Sequence, residues 1–494
     1  MSVPQTKIDP DIVPVSQALH DSALGDPAPV VAPELPSGAC PAVTYSTGTL
    51  RYTRRELAFI FVMLLGGDFA FTFFEAIFGR VLPLLAKDFH GSNTLIGIMT
   101  GSIAGLMNLF VLPNLSMRSD RHRGRLGRRI PYLLWSTPCT VASLLLVGFA
   151  PEIGAWLRAY TPLGERASEA TIVLGLLCVF VASYHLWNMV LNNVYVWLIR
   201  DVVPGAVIGR FLSWFRVVAT LASFGFLWWV FPHIMTHRKT VFVAVSGAYL
   251  VIFLLMCWQV REGGYPPPAA DVAPGLLKTF ARYFRECLGI PIYRNYFFVY
   301  VLMTAATSSV GPFTTLFARD TLGLELGDMG KIAAWGTLAG AFIFVPMGWL
   351  SDKFKPVWIV MGGLVGIVLM PVAGYFLVHD RTAWWVYSLV GALPSCAWSF
   401  GNSAFTMTLF PVEEFGQFSA GLNVFGFGGL IIGNYLLGVF MDAVHSHYQY
   451  WFLWTAVLTA AALVPMSQVI RGWHAHGGPH HYLPPLPPTA GHLA

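Results

Sequence analysis

Residues 57–80 read LAFIFVMLLGGDFAFTFFEAIFGR, an apolar run broken by Asp68 and Glu75 and closed by Arg80. A helix needs about 20 mostly apolar residues to cross a bilayer, and this run supplies them. Eleven further stretches meet the same test: 93–113, 131–150, 170–196, 209–231, 240–260, 295–318, 327–350, 357–378, 384–408, 417–440 and 450–470. Composition agrees. Charged residues make up 11% and hydrophobic residues 55% of the 494, where soluble proteins carry about 25% charge. The mean hydropathy is +0.61. So few charges cannot coat a soluble body of this size, which excludes a cytoplasmic enzyme, and the net charge of +5 is too thinly spread for a nucleic-acid binder. The expected class is an all-α polytopic membrane protein, multi-pass in the cell (inner or plasma) membrane.

The ends and the middle differ from the spans. Residues 1–50 hold eight prolines and no apolar signal segment, and read as a disordered tail. Residues 471–494, with five prolines and five histidines, read as a second tail. Residues 261–294 open with Gly263, Gly264 and Pro266–Pro268, then place Leu276, Leu277, Phe280, Phe284 and Leu288 among Lys278, Arg282 and Arg285. That pattern predicts a linker followed by an amphipathic helix on the membrane surface. It separates six spans at 51–260 from six at 295–470. With the N-terminus inside, nineteen Lys and Arg flank the cytoplasmic face and nine the other, so both tails are expected in the cytoplasm.

The two sets of spans repeat each other. Ser119-Asp120-Arg121 after span two matches Ser351-Asp352-Lys353 after span eight. After spans four and ten, Pro204, Gly209 and Phe211 match Pro411, Gly416 and Phe418. Two matches in the same order argue for duplication of a six-helix unit, the build of many secondary transporters. No phosphate-binding Gly-rich loop and no His-Glu-x-x-His string is present, so no enzymatic activity, cofactor or metal site is expected.

Twelve spans, a long middle loop and the SDRHRGRLGRRIPYLL string at 119–134 resemble the major facilitator superfamily, most of all its sucrose transporters and glycoside–pentoside–hexuronide:cation symporters. GGDFAF at 66–71 is similar to the first helix of the melibiose-permease type. The loop's usual Gly is replaced by Ser116, and Asn108 and Leu112 stand where melibiose-type symporters carry sodium-binding carboxylates, so that sodium site is not expected. The resemblance implies that helices one, four, seven and ten line a central cavity. It also implies that Asp120, Arg121, Arg128, Arg129 and Asp352 belong to a gate that ties helix two to helix eleven.

Polar residues inside spans are costly and mark function or packing. Asp68 and Glu75 lie two turns apart on one helix face with Thr72. His185, Asn188, Asn192 and Tyr195 make one stripe of span four. The 207-residue offset carries that stripe onto Ser395, Ser399 and Asn402 of span ten. Amides and hydroxyls with aromatic neighbours suit a polyhydroxylated ligand. The plainer alternative is interhelical hydrogen bonding, and His185 fits either reading. Arg216 lies at the depth of Asp68, which makes Asp68 its expected counter-ion and leaves Glu75 as the proton carrier. Gly97, Gly101 and Gly105 form a ridge for close helix packing.

The expected function is a secondary transporter, functional as a monomer in the lipid bilayer, moving a sugar, glycoside or similar hydroxylated solute together with protons. A facilitator or exporter of another small organic solute stays open, as does a non-transporting sensor or assembly factor of the same fold.

Overall fold

The computed structural model describes residues 45–265, 288–412 and 414–485. The proposed N-terminal tail and the surface helix of the middle segment fall largely outside the described residues. A short hairpin, β1 (Tyr45–Thr47) and β2 (Leu50–Tyr52), leads into the first helix.

Among the described residues, eleven helices are long and apolar enough to cross a membrane. They are α1 (Arg54–Asp88), α2 (Asn93–Phe110), α4 (Ile130–Gly148), α6 (Glu169–Val202), α7 (Gly205–His233), α8 (Arg238–Gln259), α9 (Pro291–Thr321), α10 (Leu326–Phe354), α11 (Pro356–Leu377), α14 (Phe415–Ala443) and α15 (Tyr448–Ala475). The shorter α3 (Leu112–Arg121) prolongs α2, and α5 (Ala150–Tyr160) follows α4. The expected tenth span is two helices, α12 (Arg381–Val390) and α13 (Ala392–Leu409), which meet at Gly391. The polar Ser395, Ser399, Asn402 and Ser403 of α13 keep it below the hydropathy of the other eleven.

Local chemistry sets the helix starts. Thr53 accepts the Glu56 amide while Glu56 reaches back to the Thr53 N–H at 2.8 Å, a reciprocal cap. Ser92, Ser168 and Asp380 cap α2, α6 and α12 through the amides of Leu95, Thr171 and Ala383. Two ends differ from the sequence reading. Helix α1 continues past Arg80 to Asp88 because Val81–Ala86 is itself apolar and buried, Pro83 included. Helix α15 runs to Ala475, and Tyr482 donates to the Leu409 carbonyl at 3.0 Å, so the chain stays packed beyond residue 471. Among the described residues, three helices contain π-turns, at Ile98–Ser102, Phe226–Val230 and Phe317–Thr321.

The glycine ridge of α2 is in use. A Cβ at Gly97 or Gly101 would overlap Asn434, and one at Gly105 would meet Ile431 at 2.6 Å, so α2 lies against α14 at backbone distance. Ser102 donates to the Ile431 carbonyl at 2.8 Å across the same seam.

Core packing has a direction. One apolar cluster joins α1–α8 to Phe313, Phe317, Leu437, Met441, Trp451 and Phe452 of the later helices. A second holds Tyr293, Phe297, Val360, Phe405, Phe418 and Met466, all from later helices. The early and late helices therefore share a core at the end near residues 85–95 and keep separate cores at the other.

Candidate functional site

At the shared end the contact is polar as well as apolar. The Asp442 carboxylate, near the end of α14, accepts from the backbone N–H groups of Asn93 and Thr94 at 2.8 and 2.9 Å and from the Thr94 hydroxyl at 2.6 Å. It thus caps the N-terminus of α2 from the other helix group, where a negative charge is favoured. Asn93, fully buried, donates to Ser446 at 2.8 Å and accepts from the Tyr448 hydroxyl at 2.9 Å. Lys87 donates to Asn93 and Ser446, and Arg319 pairs with Asp88 at 3.0 Å. Except for Lys87–Asn93, each of these bonds joins the early helices to the later part of the chain. Together they seal this end.

At the opposite end the charges pair within the early helices. Arg128 grips Asp201 with two bonds at 2.7 and 3.0 Å. Arg129 reaches Asp201, Ser119 and Asp120. Glu262 accepts the backbone N–H groups of Arg128, Arg129 and Ile130 at 2.9, 2.7 and 2.6 Å and so caps α4. The Tyr265 hydroxyl donates to Glu262 at 3.0 Å, and its ring lies 4.0 Å from the Arg128 guanidinium. Gly127, at φ +100°, is where the turn needs glycine: a Cβ there would strike Glu262. Burial works against the Arg128 charge, but the Asp201 carboxylate outweighs it and holds the guanidinium's pKa above its usual value. Residues 262–265, expected as linker, belong to this lock. The sequence-expected gate residues Asp120, Arg128 and Arg129 meet here, with Arg121 at the end of α3. The Asp352 side chain lies outside the described residues.

Between the ends lies a cavity of about 870 Å³ walled by α1, α7 and α9–α13, with Trp451 and Thr455 of α15. Arg216, Thr72, Ser399 and Ser395 face it, and so do Thr220, Ser223, Thr337 and Trp384. A smaller cavity of about 280 Å³ between α1, α2 and α6 holds Glu75 with His185, Asn188 and Asn192.

The polar stripes are therefore not gathered in one site. Asn402 accepts from Tyr296 at 2.6 Å inside the late helices and faces neither cavity. His185 Nε2 is 2.8 Å from the Met99 carbonyl, in the π-turn of α2 that leaves this oxygen available, and its ring stands edge-on to Phe78. The Asn188 side-chain oxygen is buried without a partner.

The expected Asp68–Arg216 pair does not form. Asp68 is 3% exposed, its Oδ2 has no hydrogen-bond partner, and Leu64 one turn earlier accepts from Tyr195 of α6. The Arg216 guanidinium lies 5.1 Å from the Phe344 ring of α10 and faces the large cavity. Similar depth brought the two residues to one level, but their side chains point to different neighbours.

The model of the Major Facilitator Superfamily matches residues 64–409 and again 296–472. The chain belongs to that superfamily. It is a membrane transporter of small solutes and not an enzyme. Its fold is similar to that of a bacterial homologue of the iron transporter ferroportin in an inward-facing state (14% identity, TM-score 0.63, covering 84% of this chain and 99% of that one). It is also similar to a bacterial homologue of the human lysosomal transporter Spinster, inward-facing and unoccupied (14%, 0.60, 85% and 96%). A D-xylose–proton symporter is a third likeness (13%, 0.59, 83% and 97%). At these identities the likeness is one of fold.

Arg80, Asp442, Asn93, Asp201 and Glu262 are parts of this machinery that sequence reasoning passed over. The one available signal was for Arg80: the apolar run resumes after it, which places it inside a span.

Proposed function

We propose that this superfamily member is a secondary transporter for a sugar, glycoside or similar hydroxylated small solute, driven by protons and working by alternating access. The observation that carries the reading is the cavity of about 870 Å³ walled by both helix groups beneath a seal of bonds that join those groups. Breaking that seal and joining the groups at the other end would expose the same cavity to the opposite side. Hydroxyls of Thr220, Ser399 and Thr337 with the Trp384 ring suit a polyhydroxylated solute, and the fold is one that a D-xylose–proton symporter also has.

Within this reading α12 and α13 together form the tenth of twelve spans, arranged as two six-helix repeats, with both chain ends in the cytoplasm and the seal on the outside. The bias of Lys and Arg supports that orientation. Glu75, facing the small cavity beside His185, Asn188 and Asn192, is the proton carrier. Asp120, Arg121, Arg128, Arg129 and Asp352 are the inner gate, with the Arg128–Asp201 lock released from the late helices in this state. Uptake of labelled D-xylose, glucose, sucrose and gluconate into vesicles holding the purified chain, with and without a pH gradient, tests the proposal. Saturable, gradient-driven uptake of one of them supports it, and no uptake of any of the four contradicts it.

A further inference from the structure

Six arginines at the membrane faces, Arg128, Arg129, Arg158, Arg238, Arg319 and Arg381, each lie within 4 Å of a carboxylate. The two arginines deep in the helices do not. Among the described residues, the Arg80 and Arg216 guanidinium groups have no hydrogen bond or ion pair, and both line the large cavity. Among the described residues, none lining that cavity is acidic. The two carboxylates in the middle of α1 lie elsewhere, Glu75 in the small cavity and Asp68 buried apart from both. The Phe344 ring beside Arg216 attracts its charge without neutralising it.

A lone cation within a bilayer is costly, and two in one carboxylate-free chamber repel each other as well. Such a chamber has a positive potential that draws in anions. The rings of Phe61 and Phe211 meet at 4.9 Å and those of Phe73 and Phe226 at 5.5 Å, so α1 and α7 run side by side in parallel. Arg216 then stands level with α1 near residue 65, and Arg80 is about 20 Å further toward the seal at 1.5 Å per residue. The arginines are two stations at different heights of one path.

We propose that the transported solute is an anion: a polyhydroxylated molecule bearing a carboxylate or phosphate group, whose oxyanion binds Arg216 at mid-depth and Arg80 beneath the seal while its hydroxyls meet Thr220, Ser223 and Ser399. This rests on the transporter reading and narrows its substrate class. Both guanidinium groups present planar donor pairs that suit such oxyanions.

Calorimetric titration of the purified full chain with gluconate, glucose 6-phosphate, glucose and glucosamine, paired with exchange of the same compounds in vesicles, tests it. The expected result is that gluconate or glucose 6-phosphate binds at least about tenfold more tightly than glucose. Arg216→Gln and Arg80→Gln should each weaken that ligand by about tenfold or more, with part recovered in Arg216→Lys. The tighter of the two acids identifies the oxyanion as carboxylate or phosphate. Where a glutamine variant does not fold, the preference of the unmodified chain decides. Glucose bound as tightly as both acids, and exchanged, overturns the anion inference and leaves the transporter reading standing. If none of the four is bound or exchanged, both are overturned.

Discussion

Replacing Asp442 by Ala should open the sealed end. In the sealed state its carboxylate accepts three hydrogen bonds, two from the buried start of α2 and one from the Thr94 hydroxyl. In a state open at that end the same groups would face water, so the substitution penalises the sealed state alone. Hydrogen bonds to a charged group contribute about 1.5–3 kcal/mol each in favourable cases, but water replaces part of that here. We take about 2–4 kcal/mol for the whole contact, which moves the sealed-to-open ratio by roughly 30- to 1,000-fold. Electron–electron distance measurements between spin labels at the exposed His90 and Glu325, one in each helix group, would read it. The variant should gain a longer-distance population absent from the parent. An unchanged distance distribution in a folded Asp442→Ala protein would refute the reasoning, because the contact would then contribute nothing specific to closure.

Other consequences follow from the same geometry. Gly101→Leu should prevent α2 from seating on α14, because even its Cβ overlaps the Asn434 side chain; the same label pair should lengthen, and thermal stability in detergent should fall by about 1–3 kcal/mol. Asp120→Asn removes the charge that Arg129 holds at the end opposite the seal and leaves both cavities untouched, so exchange should slow severalfold while solute affinity, read by calorimetry, stays within about twofold. Glu75→Gln should retain solute exchange yet lose accumulation driven by a pH gradient, measured as the ratio of internal to external label; retained accumulation would remove Glu75 as the proton carrier.

Hydropathy made the membrane spans legible because lipid forces each helix to be apolar over a fixed length. The spacing of Gly97, Gly101 and Gly105 likewise announced a close seam. The segment 384–408, also read as a span, is the exception: the polar face of α13 holds it below the hydropathy of the other eleven helices. Depth along a helix could also be counted, which is why Asp68 and Arg216 looked like partners. Depth fixes one coordinate, and rotation about the helix axis fixes the other. Rotation turned Arg216 toward Phe344 and enclosed Asp68 on the side of Tyr195. Asp442 carries no local signal, since it lies 349 residues from the Asn93 amide that it binds. The carbonyl that holds His185 is available through a π-turn at Ile98–Ser102, and no apolar periodicity marks such a turn.

The central claim is that the sealed end must open for the solute to cross. Asn93 and Ser446 touch across the seal at 2.8 Å, so cysteines placed at both positions could be joined by oxidation. Exchange of the solute in vesicles holding this double variant should be present when the cysteines are reduced, stop when they are oxidised, and return on reduction. Undiminished exchange through a fully oxidised, cross-linked protein would contradict the account.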